Sequence, residues 1–178
     1  MEENMEYWDL YDAQRQKTGR IHQRGVPLNE GEYHLVVHGC LFNAAGQMLI
    51  QQRQPFKEGW SNLWDVTVGG SAQQGETPQQ AIAREMAEEV GIQYDFEKAR
   101  PVFTLHFSVG FDDWFLIEKD DVELEKLRLQ PEEVQAVRWA DHAEIQQMIK
   151  EGTFIPYEPS LIDFVFSRIG KRGAINAP

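Results

Sequence analysis

Residues 69–92 read GGSAQQGETPQQAIAREMAEEVGI, and the rest of the chain is interpreted outward from this stretch. It divides into a glycine loop, a capped helix start, a helix with clustered glutamates and a glycine stop. Thr77 is placed to cap the helix. Pro78 takes the first helical position, where its missing N–H costs nothing, and Gln80 closes a capping box. Gly91 stands where a left-handed C-terminal cap is expected. The spacing predicts a helix over 78–90. At about 100° per residue, Ile82, Met86 and Val90 form one apolar stripe for the core. Glu85, Glu88 and Glu89 fall at i, i+3 and i+4 beside that stripe. Glu89 lies within about 20° of Ile82, at the rim of the core.

Like charges at this spacing repel by a few tenths of a kcal/mol per pair. A solvated acidic face, with Arg84 and Glu88 as an i, i+4 pair, is the plain reading. A hard divalent cation such as Mg²⁺ would remove the repulsion, because it takes carboxylate oxygens as ligands. The whole stretch resembles the Nudix box, G-x5-E-x7-R-E-U-x-E-E-x-G-U with U aliphatic. It matches at every fixed position: Gly70, Glu76, Arg84, Glu85, Met86, Glu88, Glu89, Gly91 and Ile92. So many residues at fixed spacing make the match specific.

The composition sets outer bounds. With 178 residues, the length suits one domain over 1–178, with 1–31 as an N-terminal hairpin extension. The net charge of -12 argues against nucleic acid as a partner and implies that a phosphate substrate needs metal ions. Cys40 is the single cysteine, so neither an internal disulfide nor a CxxC metal site is available. No basic-then-apolar leader and no apolar run near 18 residues is present, so a cytoplasmic protein without membrane contact is expected. A homodimer is a reasonable expectation from symmetry statistics alone.

Before the box, Glu6 to Asp12 reads as a strand, with Arg20 to Arg24 as its hairpin partner. Tyr33 to Asn43 reads as a long, central, buried strand. Ala44-Ala45-Gly46 turns it into Gln47 to Arg53, a second hairpin. Trp64 to Val68 reads as one short strand feeding the glycine loop. After the box, Val102 to Val109 alternates as a half-buried strand, Gly110 to Asp113 is a turn, and Trp114 to Glu118 returns. Gln135 to Trp139 is a further strand, and Ala140 to Lys150 and Ser160 to Ile169 are helices. Strands on both sides of a central helix give an α/β fold with a mixed sheet. The Nudix resemblance implies the same fold as an α/β/α sandwich.

The resemblance also implies the chemistry: hydrolysis of a diphosphate linkage with Mg²⁺ or Mn²⁺ as cofactor. It places Glu88 and Glu89 as the principal metal-binding pair, and Glu85 as a third ligand or the base. Arg84 orients a box glutamate, and the Gly69 carbonyl is the backbone ligand. Glu76 takes a structural role. Family members draw a further carboxylate from a loop before the late strand. Glu133 is the candidate here, with Glu132 in reserve and Glu118, Asp112 and Asp113 behind them. The five histidines lack metal-ligand spacing, so His34 and His38 are read as core or pocket-wall residues. His106, on the polar side of its strand, could line a pocket. Trp60, Trp64, Trp114 and Trp139 are read chiefly as core.

The N-terminal half further resembles isopentenyl-diphosphate isomerase and its hydrolase-like relatives, through WDLYDAQRQKTGR, YHLVVHGCLFNAAGQMLIQQR and NLWDVTVGG. The isomerase's cysteine and histidine positions before the box hold Gly69 and Ser71 here. Cys40, in another strand, cannot replace that cysteine. The Glu-x-Glu pair of the isomerase is absent, and Asp112-Asp113 is a poor substitute. A proton shuttle across an alkene needs groups on both faces, so hydrolysis is favoured over isomerisation. A non-catalytic ligand-binding module is the alternative from another class. The substrate stays open among nucleoside diphosphate derivatives, nucleotide sugars and other organic diphosphates.

Overall fold

A computed structural model of the chain describes residues 5–171 and 173–175, so the outermost parts of the 1–178 reading lie outside the described residues. The elements run β1 (Tyr7–Tyr11), β2 (Lys17–Gln23), β3 (His34–Phe42), β4 (Met48–Arg53), β5 (Trp64–Asp65), β6 (Val68–Ser71) and α1 (Pro78–Glu89). They continue with β7 (Phe103–Phe107), β8 (Gly110–Glu118), β9 (Val134–Ala140), α2 (His142–Glu151) and α3 (Pro159–Ser167). β1 and β2 form a separate antiparallel hairpin. The other strands form one sheet in the order β5-β4-β3-β8-β7, with β6 also on β3 and β9 also on β4. β3 and β8 run parallel from His34↔Gly110 to Phe42↔Glu118, and the remaining pairs are antiparallel, so the sheet is mixed.

Alternation along β3 explains the layers. Leu35, Val37 and Leu41 meet Ile82 and Met86 of α1, and Val90 at its C-cap, on one face. Cys40 and Phe42 meet Ile145, Ile162 and Val165 from the α2 and α3 segment on the other. The result is an α/β/α sandwich. Ile82, Met86 and Val90 are fully buried, which stabilises the packing by about 1.5–3 kcal/mol each. Gly39 lets the helix come this close, since a Cβ there would stand 3.0 Å from the Ile82 tip.

The capping box of α1 forms in both directions, with Thr77 Oγ1 accepting from the Gln80 N–H at 3.2 Å and Gln80 Oε1 accepting from the Thr77 N–H at 2.8 Å. Gly91 takes a φ of 71°, as the sequence predicts, and a Cβ there would press to 2.9 Å on the backbone of Arg128. Glycine therefore also lets the 127–133 segment run beside the helix end, where the Gln130 N–H donates to the Glu89 carbonyl.

Five expectations need correction. Gly110 to Asp113 is not a turn but the first part of β8, already paired with β7, and the chain reverses at Ser108 and Val109 instead. β3 and β4 pair only at Phe42↔Met48 rather than along a full hairpin. Trp64 to Val68 is two strands with a break, not one. One side chain accounts for both: Thr67 donates its hydroxyl proton to the Leu49 carbonyl and accepts the Leu41 N–H, wedging between the two strands. The first hairpin closes sooner than the sequence suggests, at Lys17 rather than Arg20. β7 is not half-buried to its end: Leu105 and Phe107 are exposed, because the strand lies at the sheet edge and α3 covers it only near Phe103. Among the described residues no helix is long and apolar enough to cross a membrane.

Candidate active site

The carboxylates of α1 open onto a cleft of about 660 Å³ between the helix, the sheet and the 55–63 loop. Arg84 organises one side of it. Its Nε and Nη2 grip the two oxygens of Glu76 at 2.8 and 3.0 Å, Nη1 reaches Glu85 at 2.9 Å and Glu88 at 3.2 Å, and Nη2 also donates to the Ser71 carbonyl. Although burial disfavours the charge of Arg84, the Glu76 bond and the two glutamates hold its pKa above the ordinary value. Glu76 keeps a lowered pKa against its own burial, through the Arg84 bond and the Gln73 N–H. A forked guanidinium of this kind fixes geometry as well as charge.

Glu85 and Glu89 are buried, so Glu89 sits deeper than the rim expected of it. Burial pushes the Glu85 carboxyl up despite Arg84. It pushes Glu89 up much further, with Glu85 adding to the effect and one Gln51 amide bond at 2.7 Å opposing it. Among the described residues, no cationic side chain binds Glu89. Glu88 stays half-exposed. Gly70 leaves the space for Glu85, because a Cβ at that position would overlap its carboxylate. Gly69 does the same for the ring of His38, at 2.6 Å from Cδ2.

Glu133 reaches this cleft from just before β9, and Lys57 of the 55–63 loop holds it at 2.7 Å. Arg53 lines the same space, and its buried Nε finds no partner. Arg24 and Glu6 of the N-terminal hairpin form an ion pair at its margin. The hairpin is anchored there, because the Gln74 N–H donates to the Tyr7 carbonyl and the Gly75 N–H to Asp9.

As arranged, no three His, Cys, Asp or Glu side chains among the described residues are gathered closely enough to hold an ion. Glu85 and Glu88 are turned onto Arg84, and Glu89 onto Gln51. The donor set nonetheless fits a hard divalent cation by its chemistry. It is all oxygen, and it includes a buried carboxylate with no cation of its own, a costly arrangement unless a positive charge is supplied.

The other expected residues are dispersed. Glu132 is exposed outside the cleft, and Glu118 lies at the far end of β8. Asp113 is buried on the α1 side, bound by Arg15 and Thr104. Asp112 lies beneath the cleft. His34 is buried against Trp8, stacked at 4.3 Å, and His106 is exposed beside Phe111 rather than lining the cleft. Trp114 is core, Trp64 packs against its cluster and Trp139 against the core on the α1 side, as expected, but Trp60 is not core: it is 54% exposed at the cleft mouth with a φ of 52°.

Sequence reasoning read His38 as a core or pocket-wall residue and Asp112 as a reserve carboxylate, but it missed Asp65 and Tyr157, which complete the cleft floor with them. Asp112 Oδ1 accepts from His38 Nδ1 at 2.6 Å and Oδ2 from the Trp114 indole at 2.8 Å, while Tyr157 donates to Asp65 at 2.8 Å. Burial works against a charged His38, yet the Asp112 bond lifts its pKa above the usual value. Burial also raises Asp65, and raises Tyr157 strongly with Asp65 adding to it. These residues come from β3, β8, β5 and the loop before α3, so no local spacing announces them.

Comparison with known proteins agrees with this geometry. The NUDIX domain model matches residues 32–159. A Nudix hydrolase of Listeria monocytogenes is 50% identical over 153 residues, covering 86% of this chain and 90% of the relative. An isopentenyl-diphosphate Delta-isomerase of Salmonella typhi is 29% identical over 147 residues, covering 79% and 80%. Among solved structures, a protein of Deinococcus radiodurans superimposes with a TM-score of 0.72 at 24% identity, covering 90% of this chain and 99% of that one. With the box complete from Gly70 to Ile92, the glutamates of α1 facing one cleft and 50% identity over 153 residues to a relative of nearly the same length, the chain belongs to the Nudix hydrolase family.

Proposed function

We propose that the chain hydrolyses a diphosphate linkage in an organic diphosphate, with Mg²⁺ or Mn²⁺ as cofactor. The observation that carries this reading is the one cleft lined by Glu85, Glu88, Glu89 and Glu133 together with Arg53 and Lys57. Acidic oxygens and cationic side chains in one cleft suit an anionic substrate bound together with a divalent ion.

In this reading Glu88 and Glu89, with Glu85 and the Gly69 carbonyl, hold the ion. A bound ion supplies positive charge to the diphosphate oxygens. Arg84 keeps Glu85 and Glu88 at the cleft and spans to Glu76, so the helix face and the glycine loop move as one piece. Arg53 and Lys57 draw in the substrate's negative charge. Glu133 takes the proton of the attacking water, since it stands at the cleft without a bond to Arg84.

The test is a panel of nucleoside diphosphates, nucleotide sugars and isopentenyl diphosphate, with Mg²⁺ or Mn²⁺, scored for released products. Cleavage is expected in at least one class, and Glu88→Gln or Glu89→Gln should lower kcat by about 10³-fold or more with the fold intact. Undiminished turnover in the double variant at saturating metal refutes the assignment. Isomerisation of isopentenyl diphosphate without cleavage would put the chain with the isomerases instead.

A further inference from the structure

The floor of the cleft holds a polar cluster that the hydrolysis scheme leaves unused. The His38 ring is fixed on three sides: Asp112 binds Nδ1 at 2.6 Å, Trp114 stacks on it at 4.6 Å, and Tyr157 packs edge-on at 6.3 Å. What remains is the Nε2 edge, which lies beside Gly69, where a Cβ would stand 2.8 Å from that nitrogen. The nearest partner of Nε2 is Tyr157 Oη at 3.5 Å, too long for a strong bond, and Tyr157 already donates to Asp65. His38, Asp65 and Tyr157 all line the cleft.

Holding four polar groups in this position is costly. A buried polar pair is often no more stabilising than apolar side chains of the same volume, so fold stability does not explain the cluster. Its chemistry selects what can sit on it. A second anion would meet Asp65, Asp112 and Glu85. An alkyl group would leave Nε2 without a strong partner. A hydroxyl both donates and accepts, so it can donate to Nε2 when the ring is neutral, or accept the Nε2 proton and donate on to the phenol oxygen when the ring is charged.

We propose that His38 Nε2 and Tyr157 Oη form a specificity subsite for a hydroxyl on the organic part of the diphosphate substrate, favouring ribosyl or other sugar diphosphates over alkyl ones. The inference rests on the diphosphate reading of the same cleft. Asp112 and Trp114 act as positioning residues that hold the ring ready.

The test separates the two claims. Calorimetric titration without metal compares ADP with 2′,3′-dideoxy-ADP, and turnover with Mg²⁺ compares the same pair alongside isopentenyl diphosphate. Wild-type protein should bind the hydroxylated ligand at least about tenfold more tightly, as expected when a buried polar site loses its partner. In Tyr157→Phe and His38→Gln, each checked for an intact near-UV spectrum, that ratio should fall to within about twofold. A general structural role for these residues would weaken both ligands and leave the ratio unchanged. Equal affinity in the wild type, including failure to bind either, overturns the subsite, and so does an unchanged ratio in both folded variants. Preferential binding with no cleavage keeps the subsite and removes the hydrolysis reading. Cleavage of both ligands at equal kcat/KM does the reverse.

Discussion

The α1 face and the cleft floor are both buried acidic clusters, yet they are built in opposite ways. On α1, Glu85, Glu88 and Glu89 are fixed relative to one another by 3.6-residue periodicity, and Arg84 on the same helix ties two of them down. On the floor, His38, Asp112, Asp65 and Tyr157 lie up to 119 positions apart and meet only because β3 and β8 run parallel and the loop before α3 crosses their ends. One cluster is written into a helix. The other exists only when the whole sheet is assembled.

Two adjacent glycines separate the regions, and this gives the largest expected effect. In Gly70→Ala the new Cβ presses on Glu85, so turnover on every diphosphate should fall by about 10²-fold or more, with about 1–3 kcal/mol lost in urea unfolding. In Gly69→Ala it presses on His38 instead, so discrimination between substrates should suffer more than turnover itself. Comparing kcat and the ligand ratio in the two variants checks this. If Gly69→Ala silences all substrates equally, the face and the floor are one unit and the contrast fails.

A second test uses two histidines on the same face of β3. His38 has Asp112, whereas His34 has Trp8 stacked on it, an unpartnered Nδ1, and a pKa held down to about 4 by burial with His22 adding to it. The sign follows from proton binding. Above about pH 6.5 the ring is neutral in both states and has no effect. Between about 6.5 and 4 the unfolded chain takes a proton that the folded chain refuses, so stability falls as pH falls. The loss should reach up to about 3 kcal/mol near pH 4. His34→Gln should flatten that part of the stability profile in chemical denaturation. An unchanged slope would mean that His34 titrates normally in the folded state.

The smallest effect tests how local the helix is. Thr77→Ala removes the side-chain half of the capping box and should cost about 1 kcal/mol, read as a lower urea midpoint. KM should not move. A change in substrate preference here would mean that the helix start and the floor are coupled.

What could be read in the sequence follows from these distances. The helix, its cap, its apolar stripe and its glutamates were readable because each lies within one turn of the residue that explains it. The strands were readable wherever alternation was strong, as in β3. Readings failed where a distant side chain took over. Thr67 split one strand in two and kept β3 and β4 apart, and the sheet edge left Leu105 and Phe107 uncovered despite their period-2 pattern. Glu133 reached the cleft and Glu132 did not, because the 127–133 segment packs past Gly91 and hands only one carboxylate to Lys57.

By itself the sequence determined the family, the α/β class and the α1 face, because helical periodicity and fixed motif spacing are properties of the chain alone. Tertiary structure decided which neighbours those residues received. Glu89 became a buried carboxylate with an amide for its partner, and His38 became a ring locked over Asp112. The physical reason is that burial and partner choice depend on contacts between segments far apart in the chain, which no local pattern encodes.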